Sequence, residues 1–438
     1  MKRREFLASA TALSLGTLGG HGIAGNRDPA GSAGRTDIGL VGGVSPEQLL
    51  EEYRSDLFNR FLPNLEESVV DHKYGGFMCD VDIRTGERLS TNKRAWYEGR
   101  GMWMYSYLYN HIEQDPRFLD IAEKSKDFVL RHQPGSDTFW TASFNREGEP
   151  ISGPGNIYGD LFVAEGLAEY AAATGEGQYL NLAKELIFKC VDLYDRPDYR
   201  FHNRTSIGPE IYGPRVLGHW MLFLIASTHI LNHVADPDIE RLADRSVDAI
   251  MNHHMNSDYH LLNEFLNHDF SLPGNEFDNF VYLGVSIETL WMVLYEAVRR
   301  RDEELYQRTA ESFKRHVTVA RDAVYGGYFR SLDRVDDHVL QVDKVLWLQE
   351  EVLIGTLSMI EHSNDSWAHD CFAETYAYVQ DTYVRPGYKF WIHAGDRTVS
   401  EFGGKRVENY HHPRHLMLNL LSLERIAGRG GNTSGLIG

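Results

Sequence analysis

One stretch decides the fold: Tyr97-Glu98-Gly99-Arg100-Gly101-Met102-Trp103, the aromatic-rich start of a predicted helix. A start of this kind returns at a spacing of about 60 residues, each time after a helix-forming stretch and a polar, strand-like stretch. A repeat of this length predicts architecture before any motif is matched. The six starts lie at 97–103, 158–165, 212–221, 282–288, 347–351 and 410–415.

Two sets of helices alternate along the chain. Apolar residues at i, i+3, i+4 and i+7 predict outer helices over 46–70, 117–133, 178–195, 238–255, 303–323 and 366–384. Inner helices are predicted over 97–112, 158–174, 215–233, 284–301, 347–362 and 413–427. Between each outer helix and the next inner helix lies a stretch with strand or turn chemistry, in which Gly and Asp mark hairpins.

Six such pairs predict an all-α fold, an (α/α)6 barrel of six helix pairs with short β-hairpins on the rim that carries the site. An open α-solenoid is the rival arrangement. The six units include no polar end-capping repeat, which favours closure. Because the same end of every pair carries aromatic, acidic and basic side chains, the barrel predicts one walled cleft on that rim.

The bulk composition excludes several classes of partner. Lys and Arg number 44 and Asp and Glu number 63, a formal net charge of −19 that disfavours nucleic acid and anionic membranes. The 8 Trp, 23 Tyr and 21 Phe serve mostly the core, and those beside polar residues suit stacking on sugar faces. Cys79, Cys190 and Cys371 are dispersed, so we expect free, buried thiols. We expect a small-molecule sugar as partner, no nucleic acid or membrane, and a monomer or homodimer.

The N-terminus has the pattern of an export signal. Met1-Lys2-Arg3-Arg4-Glu5-Phe6-Leu7 carries a twin arginine, an apolar run too short for a membrane span follows, and Gly22-Ile23-Ala24 offers a cleavage site. A chance basic N-terminus on a cytoplasmic protein is the alternative. We expect a twin-arginine signal over 1–24, a flexible linker over 25–43, the barrel over 44–427 and a disordered tail over 428–438. The mature protein is then periplasmic or extracellular.

The strongest chemical signal lies where the sixth inner helix begins. His411, His412 and His415 gather there with Arg414. Histidine is the side chain best suited to exchange a proton near neutral pH, and His411 lies at the expected rim of the cleft. We therefore predict His411 as an acid/base residue; the alternative is that these histidines bond local carbonyl groups. The three point in different directions on a helix start, so we expect no three-histidine metal site.

Other candidates line the same end of the repeat. The forked donors of Arg100 suit hydroxyl and enolate oxygens, unless the residue forms a structural salt bridge. Carboxylates in a cleft can bind sugar hydroxyls or position a histidine, although solvation at the surface explains any one of them equally well. No nucleotide-binding glycine pattern occurs in a strand–turn–helix context, so we expect no cofactor. The acidic and amide candidates are Glu264, Glu288, Gln349 and Glu351.

Together these residues resemble the N-acylglucosamine 2-epimerase family, which also holds cellobiose 2-epimerases and sugar aldose–ketose isomerases. The resemblance covers about residues 46–427 and implies the barrel that the repeat predicts. It is carried by Gly75-Gly76-Phe77 with Lys93, Trp96, Gly99-Arg100 and Trp103, by Leu262-Asn263-Glu264, by Lys344 with Trp347, Gln349 and Glu351, and by Tyr410-His411-His412-Pro413-Arg414.

The resemblance implies proton transfer at C2 of a free sugar without a cofactor. The ring opens, a base removes the C2 proton beside the C1 carbonyl, and an enediolate forms. Return of the proton to the other face gives the 2-epimer, and return to C1 gives the ketose. The resemblance assigns His411 and Glu288 to catalysis. It implies substrate binding by Trp96, Arg100, Trp103, Glu264, Trp347, Gln349, Glu351 and Arg414.

One position departs from the family pattern. The family's second catalytic histidine lies in a Gly-His-x-Ile-Glu pattern, which here reads Gly284-Val285-Ser286-Ile287-Glu288, and valine cannot carry a proton. A nearby group such as His268, or Gln349 with a water, could replace the histidine. Alternatively, His411 alone moves a proton between C2 and C1, which is aldose–ketose isomerisation. In the third interpretation, the barrel binds sugar without catalysing this reaction.

Two further functions stay open. Another carbohydrate-active enzyme, a hydrolase or lyase, would use paired carboxylates, and export agrees with polysaccharide breakdown outside the cell. A non-catalytic sugar-binding barrel is the other. The carboxylates available for hydrolysis are Asp160, Glu165, Glu264, Glu288 and Glu351.

Overall fold

The computed structural model describes residues 35–203, 211–400 and 402–437. The predicted signal over 1–24, and the part of the predicted linker over 25–34, lie outside the described residues. None of the helices in the described ranges is long and apolar enough to cross a membrane.

The outer helices are amphipathic and begin at clear capping residues. Asp115, Asp236 and Asp302 each accept a backbone N–H in the first turn of the helix that follows, which satisfies donors that a helix start leaves free. A π-helical turn in the first outer helix carries Arg60 and Phe61 to the cleft described below. The outer helices are Pro46–Ser55 continued by Asp56–Phe61 and Leu62–Ser68, Pro116–Leu130, Gly177–Tyr194, Pro237–Asp248 continued by Ala249–His254, Glu303–Ala320, and Ser366–Tyr383.

The inner helices are buried nearly all round, as expected of helices enclosed by a second ring. Gly99 and Gly166 let the first two approach closely, since a Cβ at Gly99 would lie 2.3 Å from the Phe162 carbonyl carbon. The inner helices are Ala95–His111, Ile157–Thr174, Leu217–His233, Leu283–Arg300, Leu346–Ser363 and His411–Gly428.

The inner helices form a closed ring. Each contacts the next, and the sixth contacts the first. Each outer helix packs on the inner helix before it in the chain, and the first outer helix packs on the sixth inner helix. The prediction of an (α/α)6 barrel is confirmed, with the first outer helix completing the last pair.

Short strands lie on the rim where the inner helices begin. Lys93–Arg94 pairs with Ser143–Phe144, Arg215–Val216 with Phe265–Leu266, and Lys344–Val345 with Ala394–Gly395. The pairing therefore joins successive rounds of the barrel, first to second, third to fourth and fifth to sixth. Local hairpins are also present, Phe201–Asn203 with Ile211–Gly213, Met255–Asn256 with Leu261–Leu262, and Ser331–Arg334 with Val339–Gln341.

A buried arrangement, which we call the glycine clamp, holds the loop before the first inner helix. Lys93 Nζ lies 3.0 Å from an Asp71 carboxylate oxygen and donates to the Gly75 carbonyl at 2.6 Å. Arg146 donates to the same aspartate at 2.9 Å. Glu98 accepts the backbone N–H that follows the glycine pair at 3.0 Å. A Cβ at Gly75 would lie 2.3 Å from a backbone oxygen, and its φ is +79°, so glycine is required there.

The fifth inner helix has a second copy of the glycine clamp. Lys344 Nζ lies 2.9 Å from Asp322 and donates to the Gly326 carbonyl at 2.5 Å, and Arg397 donates to Asp322 at 2.8 Å. Gln349 accepts the backbone N–H after the glycine pair at 2.9 Å. The two clamps fix the loops from which the first and fifth inner helices begin.

The two ends of the described chain pair with each other. The Ile38 N–H donates to the Gly431 carbonyl and the Thr433 N–H to the Thr36 carbonyl, at 2.8 and 2.9 Å. The Ser434 hydroxyl and His362 Nδ1 form a hydrogen bond of 2.8 Å. Composition predicted a disordered tail, but over 429–437 the structure shows an ordered strap, because its backbone pairs with the chain start and with the fifth inner helix.

The three cysteines are buried and form no disulfide, as expected.

Candidate active site

His411 is the first residue of the sixth inner helix and lies in the wall of a cleft. Its Nδ1 lies 2.9 Å from Glu351 Oε1 and 3.8 Å from Glu288 Oε1. Its ring lies 5.3 Å from that of Trp347. A carboxylate bonded to Nδ1 fixes the ring and leaves Nε2 as the nitrogen that can accept a proton.

Arg414 joins the two carboxylates behind His411. One guanidinium nitrogen donates to Glu288 at 2.6 Å and to Glu351 at 2.5 Å. Trp291 Nε1 donates to the other oxygen of Glu351 at 2.6 Å. All of these groups are buried. Burial raises the pKa of both carboxyl groups, and Arg414 opposes the rise.

Arg100 lies beside this group with its guanidinium among aromatic rings. Its central carbon is 4.7 Å from the Trp96 ring, 4.2 Å from Phe162 and 4.5 Å from Tyr410. A guanidinium nitrogen lies 3.9 Å from Glu408. This cation is therefore largely removed from water, which strengthens its attraction for negative charge.

The cleft opens between the starts of the fifth and sixth inner helices. Its wall combines aromatic faces with titratable groups, a lining suited to a sugar. The residues that matter for its chemistry are Trp347, Trp391, His393, Glu408, His411 and His412.

Sequence analysis did not single out three titratable residues at the cleft, Arg406, His393 and Glu408. Arg406 donates to His393 Nε2 at 2.8 Å and to Glu408 Oε1 at 2.6 Å. Glu408 Oε2 lies 3.6 Å from His411 Nε2. Burial lowers the pKa of His393 to about 4, and Arg406 acts in the same direction. The sequence signal for Arg406 and Glu408 was their position, since both are charged residues within five residues of His411, where the sixth inner helix begins.

The chain matches one known family over most of its length. Residues 75–412 match the family described as N-acylglucosamine 2-epimerase (GlcNAc 2-epimerase).

The chain belongs to the N-acylglucosamine 2-epimerase family.

Relatives and solved structures extend this result. The cellobiose 2-epimerase of Dictyoglomus turgidum is 24% identical over 366 residues, 78% of this chain and 91% of the relative. The N-acylglucosamine 2-epimerase of Homo sapiens is 24% identical over 364 residues, 80% and 84% of the two chains. The structure of cellobiose 2-epimerase from Spirochaeta thermophila has a TM-score of 0.73 at 19% identity, covering 87% of this chain and 98% of that one. The structure of a D-mannose isomerase has a TM-score of 0.68 at 15% identity, and the match covers 87% of this chain and 97% of that one. The protein is thus an isomerase by family, with the fold of these structures.

Several residues that the family resemblance assigned lie together. His411, Glu288, Glu351 and Arg414 form one bonded group with Trp347 against it. Arg100 and Trp96 stack on each other next to that group.

Three other assigned residues lie elsewhere. Gln349 is fully buried, and its amide serves the glycine clamp. Trp103 is fully buried and packs 5.2 Å from the Tyr410 ring, behind the site. Glu264 is fully buried at the start of the third inner helix, where its backbone carbonyl accepts the Leu217 N–H. Burial raises the pKa of Glu264 well above its usual range.

The remaining histidines of the family's C-terminal motif have a different partner. Glu350 Oε1 lies 2.5 Å from His412 Nδ1 and 3.6 Å from His415 Nδ1, and His415 Nε2 lies 2.9 Å from the Tyr53 hydroxyl. Glu288, Glu351 and His411 could in principle hold a metal ion, since their ligand atoms lie within 4.8 Å of one another. In the structure the Arg414 cation already bonds both carboxylates.

Val285 lies one helical turn before Glu288 and is half-buried. Neither of the two substitutes named for the family's second histidine approaches His411. Gln349 is held in its clamp, and His268 bonds Arg200 in a separate surface depression. The fourth inner helix therefore offers no proton carrier at this position.

Proposed function

We propose that this protein transfers a proton at C2 of a free sugar through an enediolate, with His411 as acid and base. The observation that carries the proposal is the His411–Glu351 pair, with Nδ1 to Oε1 at 2.9 Å, set in the wall of a polar and aromatic cleft. Family membership supports this chemistry.

The protonation state of His411 suits a base. Burial lowers its pKa to about 4, although Glu408 and Glu288 oppose the shift. The imidazole is therefore neutral near pH 7, and Glu351 at Nδ1 leaves the Nε2 lone pair for the substrate.

The electron flow needs only protein groups. His411 takes the C2 proton, the C–H electron pair forms the C1–C2 double bond, and the carbonyl oxygen at C1 becomes negative. Arg100 is the cation we assign to that oxygen, because its guanidinium is partly desolvated beside the cleft group. The base then returns its proton to carbon.

We propose that the main product is the ketose. His411 returns the proton to C1 on the same face, O2 loses its proton as the C2 carbonyl forms, and O1 gains one. A 2-epimer requires a second carrier on the opposite face, and Val285 supplies none. His393 also lines the cleft, but its Nε2 accepts a hydrogen bond from Arg406. Val285→His is accordingly expected to raise the share of 2-epimer among the products.

The geometry does not favour glycoside hydrolysis. That reaction places two carboxyl groups about 5–10 Å apart on either side of the bond that breaks. Here Glu288 and Glu351 bond the same nitrogen of Arg414. Asp160 is paired with Lys189, and Glu165 accepts the Tyr410 hydroxyl.

The test is solvent-deuterium incorporation at C1 and C2 of a panel of free aldoses, ketoses and disaccharides, followed by NMR in heavy water. The wild-type protein should label at least one sugar, and His411→Ala should abolish the labelling. His253→Gln, which removes an exposed histidine of the fourth outer helix, is the matched control. Absence of exchange with every sugar, or full exchange by His411→Ala, would reject the proposal.

We also propose that the protein is exported through the twin-arginine route, on the strength of the Arg3-Arg4 pair and the run that follows it. Replacement of both arginines by lysine should retain the protein in the cytoplasmic fraction of a host that has this route. Unchanged fractionation would contradict it.

A further inference from the structure

Two histidines and a buried glutamate meet at the rim opposite the cleft. His111 ends the first inner helix, His233 ends the third, and Glu169 lies on the second, between them. His111 Nε2 lies 3.1 Å from Glu169 Oε1, and His233 Nε2 lies 3.3 Å from Glu169 Oε2. The Glu169 side chain is 2% exposed, and the two histidines are 34% and 28% exposed. The group is thus open to solvent on one side.

Two other buried glutamates at the same rim show what is unusual here. Glu296 is bonded by Arg299 and Arg300, at 2.7 and 2.6 Å. Glu361 is bonded by Arg425 at 2.7 Å. Arginine carries a permanent charge. Glu169 is bonded instead by two imidazoles, whose charge depends on pH, so its carboxylate lacks a permanent counter-charge from these partners.

We propose that His111, Glu169 and His233 bind one divalent transition-metal ion with the ligand preference of Zn²⁺. The ion would join the first three inner helices at the rim opposite the cleft. Two imidazole nitrogens and one carboxylate oxygen are a recognised ligand set for zinc, with a fourth position for water.

The spacing of the three groups fits such an ion. Bonds of about 2.0–2.1 Å in tetrahedral geometry separate neighbouring ligand atoms by about 3.3 Å. His111 Nε2 lies 3.1 Å from Oε1 of Glu169 and His233 Nε2 lies 3.3 Å from Oε2, and one ligand atom from each residue lies within 4.8 Å of the others. Both histidines offer Nε2, the nitrogen at the far end of the ring.

The surroundings favour a cation. The C-terminal ends of helices carry partial negative charge, and two of them meet here. Burial acts to raise the pKa of Glu169, but the hydrogen bonds from the two histidines outweigh burial and the net shift is downward. The carboxyl group is therefore ionised near neutral pH. Asn110 Nδ2 donates to Glu169 Oε1 at 2.6 Å and orients the carboxylate, as outer-shell partners of metal ligands do.

The other two groups with metal-ligand spacing are less suited. In one, Arg414 occupies the space between Glu288 and Glu351. In the other, both histidines come from one turn of the sixth inner helix beneath the cleft, and His415 Nε2 is bonded to Tyr53. The opposite rim is therefore the place to expect a resident ion.

The experiment measures metal binding rather than activity, so its outcome is independent of the proposed function. Full-length protein stripped with a chelator is titrated with ZnCl2 by calorimetry and with CoCl2 by visible absorption. Expected are one equivalent of ion at this site, a cobalt spectrum typical of tetrahedral coordination, and a Tm raised by several degrees with ZnCl2. His111→Gln and His233→Gln are each expected to weaken binding at least tenfold, and the double variant to lose this equivalent and its Tm gain.

His253→Gln serves as the control, because it removes an exposed histidine that pairs with Asp248 away from the rim. Circular dichroism of each variant establishes that it is folded, and the two single variants provide independent tests if the double variant is not. A wild-type protein that binds no Zn²⁺ overturns the proposal. A folded double variant with the wild-type stoichiometry and Tm gain overturns it as well.

Discussion

His411 owes its expected chemistry to burial and to the carboxylates around it. Its pKa is lowered to about 4, so the neutral base is present above that pH and is lost as the pH falls through it. We expect kcat/KM to be level from pH 8 to about pH 5 and to decrease below. A level profile with an acid limb near pH 6.5 would contradict the lowered pKa.

Glu408 should affect the pH at which kcat/KM decreases on the acid side, which we call the acid limb. Its carboxylate lies 3.6 Å from His411 Nε2 and raises the pKa of the histidine against the effect of burial. Glu408→Gln is expected to move the acid limb of kcat/KM to lower pH. Glu424→Gln, an exposed change on the helix that His411 begins, should leave the limb in place.

Glu98 gives a stability prediction with a defined sign. Burial raises its pKa to about 7, from a usual value of 4.5. Between these values the folded state binds more protons than the unfolded state, so stability decreases as the pH rises through this window. Glu98→Gln removes the ionisable group. In the second glycine clamp, Gln349 already occupies the position that Glu98 has in the first.

We therefore expect Glu98→Gln to raise the free energy of unfolding by about 2 kcal/mol at pH 8. The gain should shrink toward pH 5, where Glu98 is mostly protonated in the folded protein. Urea denaturation at the two pH values measures both numbers. An equal effect at both would show that ionisation of Glu98 is not involved.

The sequence could identify much of the site but not the direction of each side chain. Gln349 and Glu351 are two residues apart on one helix, and successive residues turn by about 100°. Only the structure shows that Glu351 reaches His411 while Gln349 serves the glycine clamp. Glu408 and Arg406 lie in a loop, where no periodicity relates position to direction.

Among the elements, the helices were the most predictable part. The inner helix predicted over 158–174 is observed at Ile157–Thr174, and the outer helix predicted over 366–384 at Ser366–Tyr383. Both begin after a capping residue, Asn156 and Asp365, whose side chain accepts a backbone N–H of the first turn. The pairing of rim strands between rounds was not predictable, since two-residue strands carry no pattern of their own.

The glycine clamps should matter for stability. Lys344 and Asp322 have side chains with 0% exposure, and removal of one partner leaves the other buried charge without its counter-charge. Lys344→Met is expected to lower the free energy of unfolding by about 3 kcal/mol, as breaking a buried ion pair does. Urea denaturation measures the loss.

Arg321→Met is the matched control for that change. Arg321 pairs with Glu374 at the surface, where the side chains are 45% and 43% exposed. Its loss should cost less than about 1 kcal/mol. Equal losses for the two variants would mean that the clamp adds nothing beyond a surface pair.

For the whole molecule, the two ends of the described chain are hydrogen-bonded to each other. The strap over 429–437 bonds the fifth inner helix and the segment that precedes the first outer helix. The composition of this stretch resembles a disordered tail because glycine and serine dominate it. Tertiary hydrogen bonds and the burial of Ile437 decide otherwise.

Truncation after Gly428 is the corresponding prediction. Loss of the strap should lower Tm by roughly 5 °C or more, since it removes several buried hydrogen bonds at once. Differential scanning calorimetry compares it with a chain that ends at Ile437. Equal Tm values would show that ring closure does not require the strap.

The two glycine clamps are also related by a single offset in sequence. The second follows the first by 251 residues at every member, as in 322 − 71, 344 − 93 and 397 − 146. At the same offset, Trp96 corresponds to Trp347 and Arg100 to Glu351. The same local frame therefore presents a cation at the start of the first inner helix and an anion at the start of the fifth, so two alike clamps place opposite charges at the site.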